Sequence, residues 1–270
     1  MDERNVIASL FGVPRALVGT IHAQALPGTP ASSLGVRAIA DAAAAEAELY
    51  ASAGFHGLIL ENTHDRPYLK GAAIGPEIVA AMSIVADAIR RASSLPLGIQ
   101  VLAGANRAAI VVAHACGAAF VRAEGFVFAH VADEGIIESS AGDILRYRRA
   151  IGAEHVLVFA DVKKKHSAHA ITADVDIAET AKAAEFFSVD GVVVSGAATG
   201  SPADPAEVDA VSRAVGVPVL IGSGITPENL AHYRGADAFI IGSSVKSGGV
   251  WSGTLDAIRT RACVEALQRL

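Results

Sequence analysis

The 270-residue sequence predicts a single-domain α/β protein, a (β/α)8 barrel. Three observations carry that prediction. Eight short apolar runs, rich in Val and Ile, recur along the chain and are too short for globular helices. Segments with helical period separate them, which implies parallel pairing. No Pro/Ser-rich linker or composition break divides the chain. A doubly wound open sheet is the alternative architecture for the same alternation.

Residues 1–15 precede the first run and are expected to cap the bottom of the barrel. The runs are ALVGTIHA (16–23), GLILEN (57–62), LGIQVLA (97–103), FVRAE (120–124), VLVFAD (156–161), GVVVSG (191–196), VPVLIGSG (217–224) and AFIIGSS (238–244). Each reads as a strand buried on both faces. In GPEIVAAMSIVADAIRRASS, Ile78, Met82, Val85 and Ile89 share one stripe, and Pro76 suits the first helical turn. In TADVDIAETAKAAEFF, Ile177, Ala181 and Ala184 share a face. The last helix, near 254–268, shows a stripe through Leu255, Ile258 and Ala262.

Hydrophobic residues make up 52 % of the chain and charged ones 19 %, so a large core is available. Net charge is −6, and no basic stripe is interleaved with aromatics, which argues against a nucleic-acid partner. Cys116 and Cys263 lie far apart without CxxC or Cys–His spacing and read as small buried residues. The N-terminus lacks a signal-type apolar run, and no apolar stretch reaches the roughly 20 residues needed to span a bilayer. A cytoplasmic location is expected. Neither a GxxxxGK[ST] motif nor a GxGxxG after the first strand occurs, so nucleotide-fold cofactors lack support.

In a parallel barrel all strand C-terminal ends open on one mouth, where active sites are built. The polar residues of this chain sit late in their strands: His22 on the first, Glu61 and Asn62 on the second, Gln100 on the third, Arg122 and Glu124 on the fourth, Asp161 on the fifth and Ser195 on the sixth. Side chains two apart face the same side of a strand. Asp161, Lys163 and Lys165 therefore share the inward parity of Leu157 and Phe159, and Arg122 shares that of Glu124. Charges brought together in this way pair, and their pKa values move. The plain alternative is a salt-bridge plug filling the barrel top. On the functional reading, Asp161 and Glu124 exchange protons, while Arg122 or Lys163 steadies an oxyanion; Lys163 is also the candidate Schiff-base amine. His22, Glu61, Asn62, Gln100, Lys165, His166 and Ser195 are candidate substrate contacts. Lys164 and Lys165 are otherwise solvated groups or counter-ions.

The seventh and eighth strands stop at Gly222-Ser223-Gly224 and Gly242-Ser243-Ser244. Successive amides in such turns form an anion nest, and loops at these positions are a frequent phosphate site of this fold. Gly196, in the loop SGAATGSP, adds a nearby small residue. Ordinary tight turns are the alternative. His166 and His169 lack a visible third ligand for zinc and read as surface or supporting histidines. Glu61, Glu124 and Asp161 offer the oxygen ligands that Mg2+ takes, against which the neighbouring lysines compete. No cofactor and no dedicated metal site are predicted. ENTHDRPY and HVADEGIIES read as long charged loops walling the mouth, and His114 as a packing or surface residue of a helix.

LVGTIHAQALPGTP, GLILENTHDRPY, GPEIVAAM, FVRAEGFVFAHVADEGIIES, LRYRRAIGAE, FADVKKKHSAHAIT, GAATG and VLIGSGIT together resemble the BtpA/SgcQ family of TIM-barrel proteins, from about Val18 to Arg259. Asp161, Lys165 and His166 match a DVHVKH-like pattern of that family, and Lys163 does not. Ala103-Gly104-Ala105-Asn106 replaces an Arg-Asn common in relatives. The resemblance implies the barrel fold. It also implies kinship with a photosystem I biogenesis protein and with members in sugar-utilisation gene clusters.

The expected function is an isomerase-, aldolase- or lyase-type enzyme acting on a small phosphorylated sugar or phosphoribosyl-type compound, with a homo-oligomer compatible with that reading. The alternatives are a non-catalytic assembly factor and a nucleosidase-like hydrolase.

Overall fold

The computed structural model describes residues 6–270. Eight parallel strands close into a barrel: β1 (Ala16–His22), β2 (Gly57–Glu61), β3 (Leu97–Gln100), β4 (Phe120–Ala123), β7 (Leu157–Val162), β9 (Gly191–Val194), β10 (Val219–Ile221) and β11 (Ala238–Ile241). The first pairs with the last, Ala16 opposite Ala238 and Gly19 opposite Ile241, so the sheet has no edge. An open doubly wound sheet is thereby excluded.

Helices α2 (Val36–Ala53), α3 (Pro76–Ala92), α4 (Asn106–Cys116), α5 (Ala141–Ala150), α6 (Ile177–Phe186), α7 (Pro205–Ala214) and α8 (Ala257–Gln268) form the outer layer. The α3 stripe of Ile78, Met82, Val85 and Ile89 is buried as its spacing predicts, with Pro76 in the first turn. Two expectations differ. Only a single 3-10 turn, Leu230–His232, links β10 to β11, so that unit lacks its helix. On α8 the buried face is Thr260, Cys263 and Ala266, while Ile258 is 82 % exposed. Asp256 caps this helix by accepting from the Ile258 and Arg259 amides. Cys263 is buried and Cys116 only half-buried; both thiols are free. His114 is exposed on α4, its ring beside His155.

Inside the barrel, alternation places an apolar plug below and polar groups above. Ala16, Val18, Ile59, Phe120, Phe159, Val193, Leu220, Ala238 and Ile240 form the lower cluster, and Ile7 and Phe11 of α1 (Val6–Phe11) pack against it from below. Residues 1–5 of the expected cap lie outside the described residues. Glycine makes room for the rings: a Cβ on Gly98 would lie 2.1 Å from the Phe120 ring, and one on Gly191 2.8 Å from that of Phe159.

Over the mouth lies a small antiparallel sheet in the order β6-β5-β8, formed by β5 (His130–Ala132), β6 (Gly135–Ile137) and β8 (Ser167–Ala168). HVADEGIIES is thus a tight hairpin rather than an extended loop. Its two-residue turn, Asp133-Glu134, is followed by Gly135 at φ +98°.

The Phe120 ring packs edge-on to Phe11 at 5.9 Å and against Phe159 at 5.2 Å. Phe120→Ala should cost about 3–5 kcal/mol by opening a cavity in the plug. The expected result is a lower denaturant midpoint with an unchanged slope.

Candidate active site

Arg122 anchors the mouth. It points into the barrel from β4, where Arg122 lies opposite Phe159 of β7, so Asp161 stands two residues further up the same face. The guanidinium grips Asp161 side-on, Nε to Oδ2 at 2.9 Å and Nη2 to Oδ1 at 2.8 Å. Their side chains are 3 % and 1 % exposed. Burial works against the charged guanidinium, but the Asp161, Glu61 and Glu124 carboxylates outweigh it and hold the arginine firmly protonated. Both Asp161 oxygens are occupied, and Asp161 does not line the mouth cavity. The expected acid/base role of Asp161 is therefore corrected: it is the counter-ion that orients Arg122.

The cavity measures about 280 Å3. Glu61, Gln100, Arg122, Glu124, Lys165 and His22 meet in it. Glu61 Oε1 lies 3.5 Å from Arg122 Nη1 without a hydrogen bond to any described group. Burial raises the Glu61 pKa, against the opposing pull of Arg122 and Lys165. Glu124 is better held. Its Oε2 accepts the Gly104 amide at 3.0 Å, and its Oε1 takes Gln100 at 3.4 Å and Lys164 at 3.3 Å.

The three lysines part company. β7 ends at Val162, and Lys163 takes φ +49°, which breaks the alternation that placed it beside Asp161. Its Nζ donates to the Thr172 carbonyl at 2.8 Å, away from the cavity. This corrects the expected catalytic role of Lys163. Lys164 is buried as the Glu124 counter-ion. Lys165 turns into the cavity; burial and the Arg122 charge lower its pKa.

His22 stands at the end of β1, with Nδ1 2.8 Å from the Trp251 carbonyl. A carbonyl only accepts, so Nδ1 carries the proton and Nε2 is an acceptor. Burial, helped by the Lys246 charge, pushes the His22 pKa down to about 3, which keeps the ring neutral. Lys246 is itself buried and bound to Glu46 at 3.2 Å. Trp251, the single tryptophan, also stacks on His64 and carries Arg66 above its ring at 4.8 Å. Trp251, Arg66, Tyr68, Asp133, Glu134 and Thr199 complete the rim. The sequence placed Arg66, Tyr68, Asp133 and Glu134 in the two loops expected to wall the mouth and Thr199 in the SGAATGSP loop, without a role for any one of them; Trp251 was missed because it lies on a loop beyond the last strand.

Other expected contacts are not brought into the cavity. Asn62 is 1 % exposed and ties two loops: its amide donates to Asp65, and its oxygen accepts the Leu102 amide at 2.7 Å. Ser195 is buried with its hydroxyl unpartnered among the described residues, and it too lies off the cavity lining. His166 does line it, with Nε2 2.9 Å from the Thr199 hydroxyl.

The glycine–serine turns lie at the mouth end but face the chain itself. A Cβ on Gly224, at φ +70°, would lie 2.3 Å from Pro202, and one on Gly196 2.4 Å from the Ser201 carbonyl. The Ser223 hydroxyl accepts the Gly196 amide and donates to the Ser201 carbonyl. Gly222 offers its carbonyl to Arg122. Gly242 lies against the His22 ring, and Ser244 Oγ against the Cys263 thiol. Neither turn, Ser243 included, lines the cavity. The structure therefore does not bring the expected nest to the cavity, and Ser201–Pro202 packs against Gly224 of the first turn.

Among the described residues no group of three His, Cys, Asp or Glu side chains is placed to hold a metal. The candidate Mg2+ ligands Glu124 and Asp161 already hold Lys164 and Arg122. His169 turns from His166 to the Lys164 carbonyl.

The model of the BtpA family matches residues 13–269. The chain belongs to the BtpA family. It is 47 % identical to a mitochondrial protein of Caenorhabditis elegans, over 96 % of this chain and 95 % of that protein. It is 33 % identical to the photosystem I biogenesis protein BtpA of Synechocystis, over 95 % of this chain and 89 % of that one. Two solved structures resemble this BtpA-family barrel in fold. Thiamine phosphate pyrophosphorylase from Pyrococcus furiosus has a TM-score of 0.57 at 14 % identity, covering 95 % of this chain and 96 % of that one. N-(5'-phosphoribosyl)anthranilate isomerase from the same organism has 0.56 at 12 %, covering 95 % and 100 %. Among the described residues no helix is long and apolar enough to cross a membrane.

Two outcomes test this geometry. Asp161→Asn should destabilise the BtpA-family barrel by about 3–5 kcal/mol, because Arg122 is left buried with only the longer contact to Glu61; Arg122→Met added to it should restore much of the loss in denaturant melts. The second outcome concerns pH. His22 is neutral when folded down to about pH 3, while the unfolded chain takes up its proton near 6.5. Its contribution to stability is thus fully present above 6.5 and lost as pH falls toward 3. His22→Gln should flatten that part of the melting-temperature profile.

Proposed function

We propose that this chain is an enzyme of isomerase or lyase type that performs acid–base chemistry on a small phosphorylated sugar or phosphoribosyl-type compound. One observation carries the reading: Glu61, a buried carboxyl with raised pKa and an unbonded oxygen, faces an otherwise well-anchored polar cavity. A carboxyl left unsatisfied in this way costs stability in the resting protein, which suits a group waiting for a substrate proton. Glu61 is the acid/base group. Arg122, fixed by Asp161, stabilises negative charge on the reacting oxygen. Gln100, Glu124 and neutral His22 orient hydroxyls.

A cavity of about 280 Å3 suits a compound of sugar-phosphate size. Phosphate recognition falls to the rim, where Arg66, His166 and Thr199 offer a cation and donors. The names of the two structural neighbours, a thiamine phosphate enzyme and a phosphoribosyl isomerase, support a phosphorylated substrate. The Synechocystis relative's name supports a second reading, an assembly factor. On that reading the exposed apolar side chains of the sheet over the mouth, Val131 and Ile136, meet a partner and the cavity is inert.

Thermal melting against sugar phosphates, phosphoribosyl compounds and nucleosides tests the choice. A phosphorylated ligand should raise the melting temperature by mass action. With its substrate in hand, Glu61→Gln should lower kcat about 100- to 10,000-fold. As the acid, Glu61 works protonated, so the wild-type rate should fall as pH rises through its elevated pKa. No shift with any phosphorylated compound, together with tight capture of a protein partner, would favour the assembly factor.

A further inference from the structure

We propose that Lys165 engages the substrate covalently, its ε-amine condensing with an aldehyde or ketone carbon to form an imine. The substrate class is then narrower than a phosphorylated sugar: a small anionic compound that presents a free carbonyl, such as the open-chain form of a sugar phosphate. The inference rests on the reading of the mouth as an active site.

The geometry separates Lys165 from the other lysines around the mouth. Lys163 is tied to Thr172, Lys164 to Glu124 and Lys246 to Glu46. Lys165 lines the cavity, and among the described residues its amine makes neither a hydrogen bond nor a close ion pair. The backbone is arranged for this presentation. Positive φ at Lys163 (+49°) and His166 (+54°) brackets the residue, turning Lys163 out and Lys165 in. Such a conformation is uncommon outside glycine, and its clustering beside a cavity points to function. Burial and the fixed positive charge of Arg122 lower the amine's pKa against the pull of Glu61, Asp161 and Glu124, which moves it toward the neutral form that attacks.

Glu61 completes the chemistry. The amine lone pair attacks the carbonyl carbon, the carbonyl electrons move to oxygen, and a proton passes from nitrogen to that oxygen, giving a carbinolamine. The protonated Glu61 carboxyl gives its proton to the hydroxyl, which leaves as water while the nitrogen lone pair closes the C=N bond. The products are a protonated imine on Lys165, one water and the Glu61 carboxylate, whose charge the iminium balances. No oxidant or reductant is consumed. The iminium withdraws electrons from the adjacent carbon, the requirement shared by aldol-type cleavage and by proton abstraction beside a carbonyl.

Borohydride trapping tests this directly. The full-length protein is mixed with dihydroxyacetone phosphate, glyceraldehyde 3-phosphate or phosphate-free glyceraldehyde, reduced with sodium borohydride, and mapped by peptide mass spectrometry. Thermal melting is measured with the same compounds. The expected result is a reduced adduct at Lys165 at least about tenfold above that on exposed Lys70. It should be lost in K165R, retained in K163R and slowed in E61Q, with folding of each variant checked by its melt. Without preferential labelling of Lys165, a melting shift with the phosphorylated probes would overturn the imine and leave the proposed function standing. Labelling of Lys165 by glyceraldehyde alone, without any shift from the phosphorylated probes, would uphold the imine and overturn the phosphorylated substrate. Absence of both would overturn the two together.

Discussion

A guanidinium buried inside a barrel cannot shed its proton, so it must be neutralised where it stands. Arg122 meets that constraint through Asp161, one strand away and two residues higher on the same face. The pair divides the interior. Below it the barrel is filled by Phe120, Phe159, Val193 and their neighbours; above it the strands turn Glu61, Gln100 and His22 into the cavity. Because Asp161 takes two of the guanidinium's donors in good geometry, Glu61 is left at 3.5 Å as a second, poorly satisfied carboxylate on the same cation. Unequal sharing of one positive charge leaves Asp161 with both oxygens bonded and Glu61 with one oxygen free.

The mouth is assembled by backbone exceptions as much as by side chains. Positive φ at Lys163 and His166 sorts a run of three lysines into an outward tether, a buried counter-ion and a cavity-facing amine. The segment after β11 carries Lys246, buried against Glu46, and then Trp251, whose carbonyl sets the tautomer of His22. Burial and the charge behind the histidine keep the ring neutral against the pull of the carbonyl in front of it, so it serves as a hydrogen-bond partner across the physiological range. The glycines of the 222–224 turn make the same point in reverse. They permit close approach, and the groups that approach are the chain's own: Val193 and Arg122 at Gly222, Ser201–Pro202 at Gly224.

Most of the barrel was legible in the sequence because burial on both faces demands uninterrupted apolar runs, and eight of them leave no mistaking the repeat. The α3 stripe and the inward parity of Arg122, Glu124 and Asp161 followed from the same periodicities. The missing helix before β11 and the displaced face of α8 did not. In both places the local pattern is weak: the Leu230–His232 segment is short, and α8 buries Thr260 and Cys263 while exposing Ile258. The hairpin over the mouth was hidden because its strands are three residues long, too short to show an alternation.

By itself the sequence determined the architecture, the end of the barrel where the polar groups gather and the set of ionisable side chains found there, because strand alternation is a local rule that holds as long as a strand lasts. Tertiary structure alone decided which of those groups are spent on one another and which face the cavity. That choice depends on distances between strands far apart in sequence and on the residues where alternation stops, and neither is written in any local period.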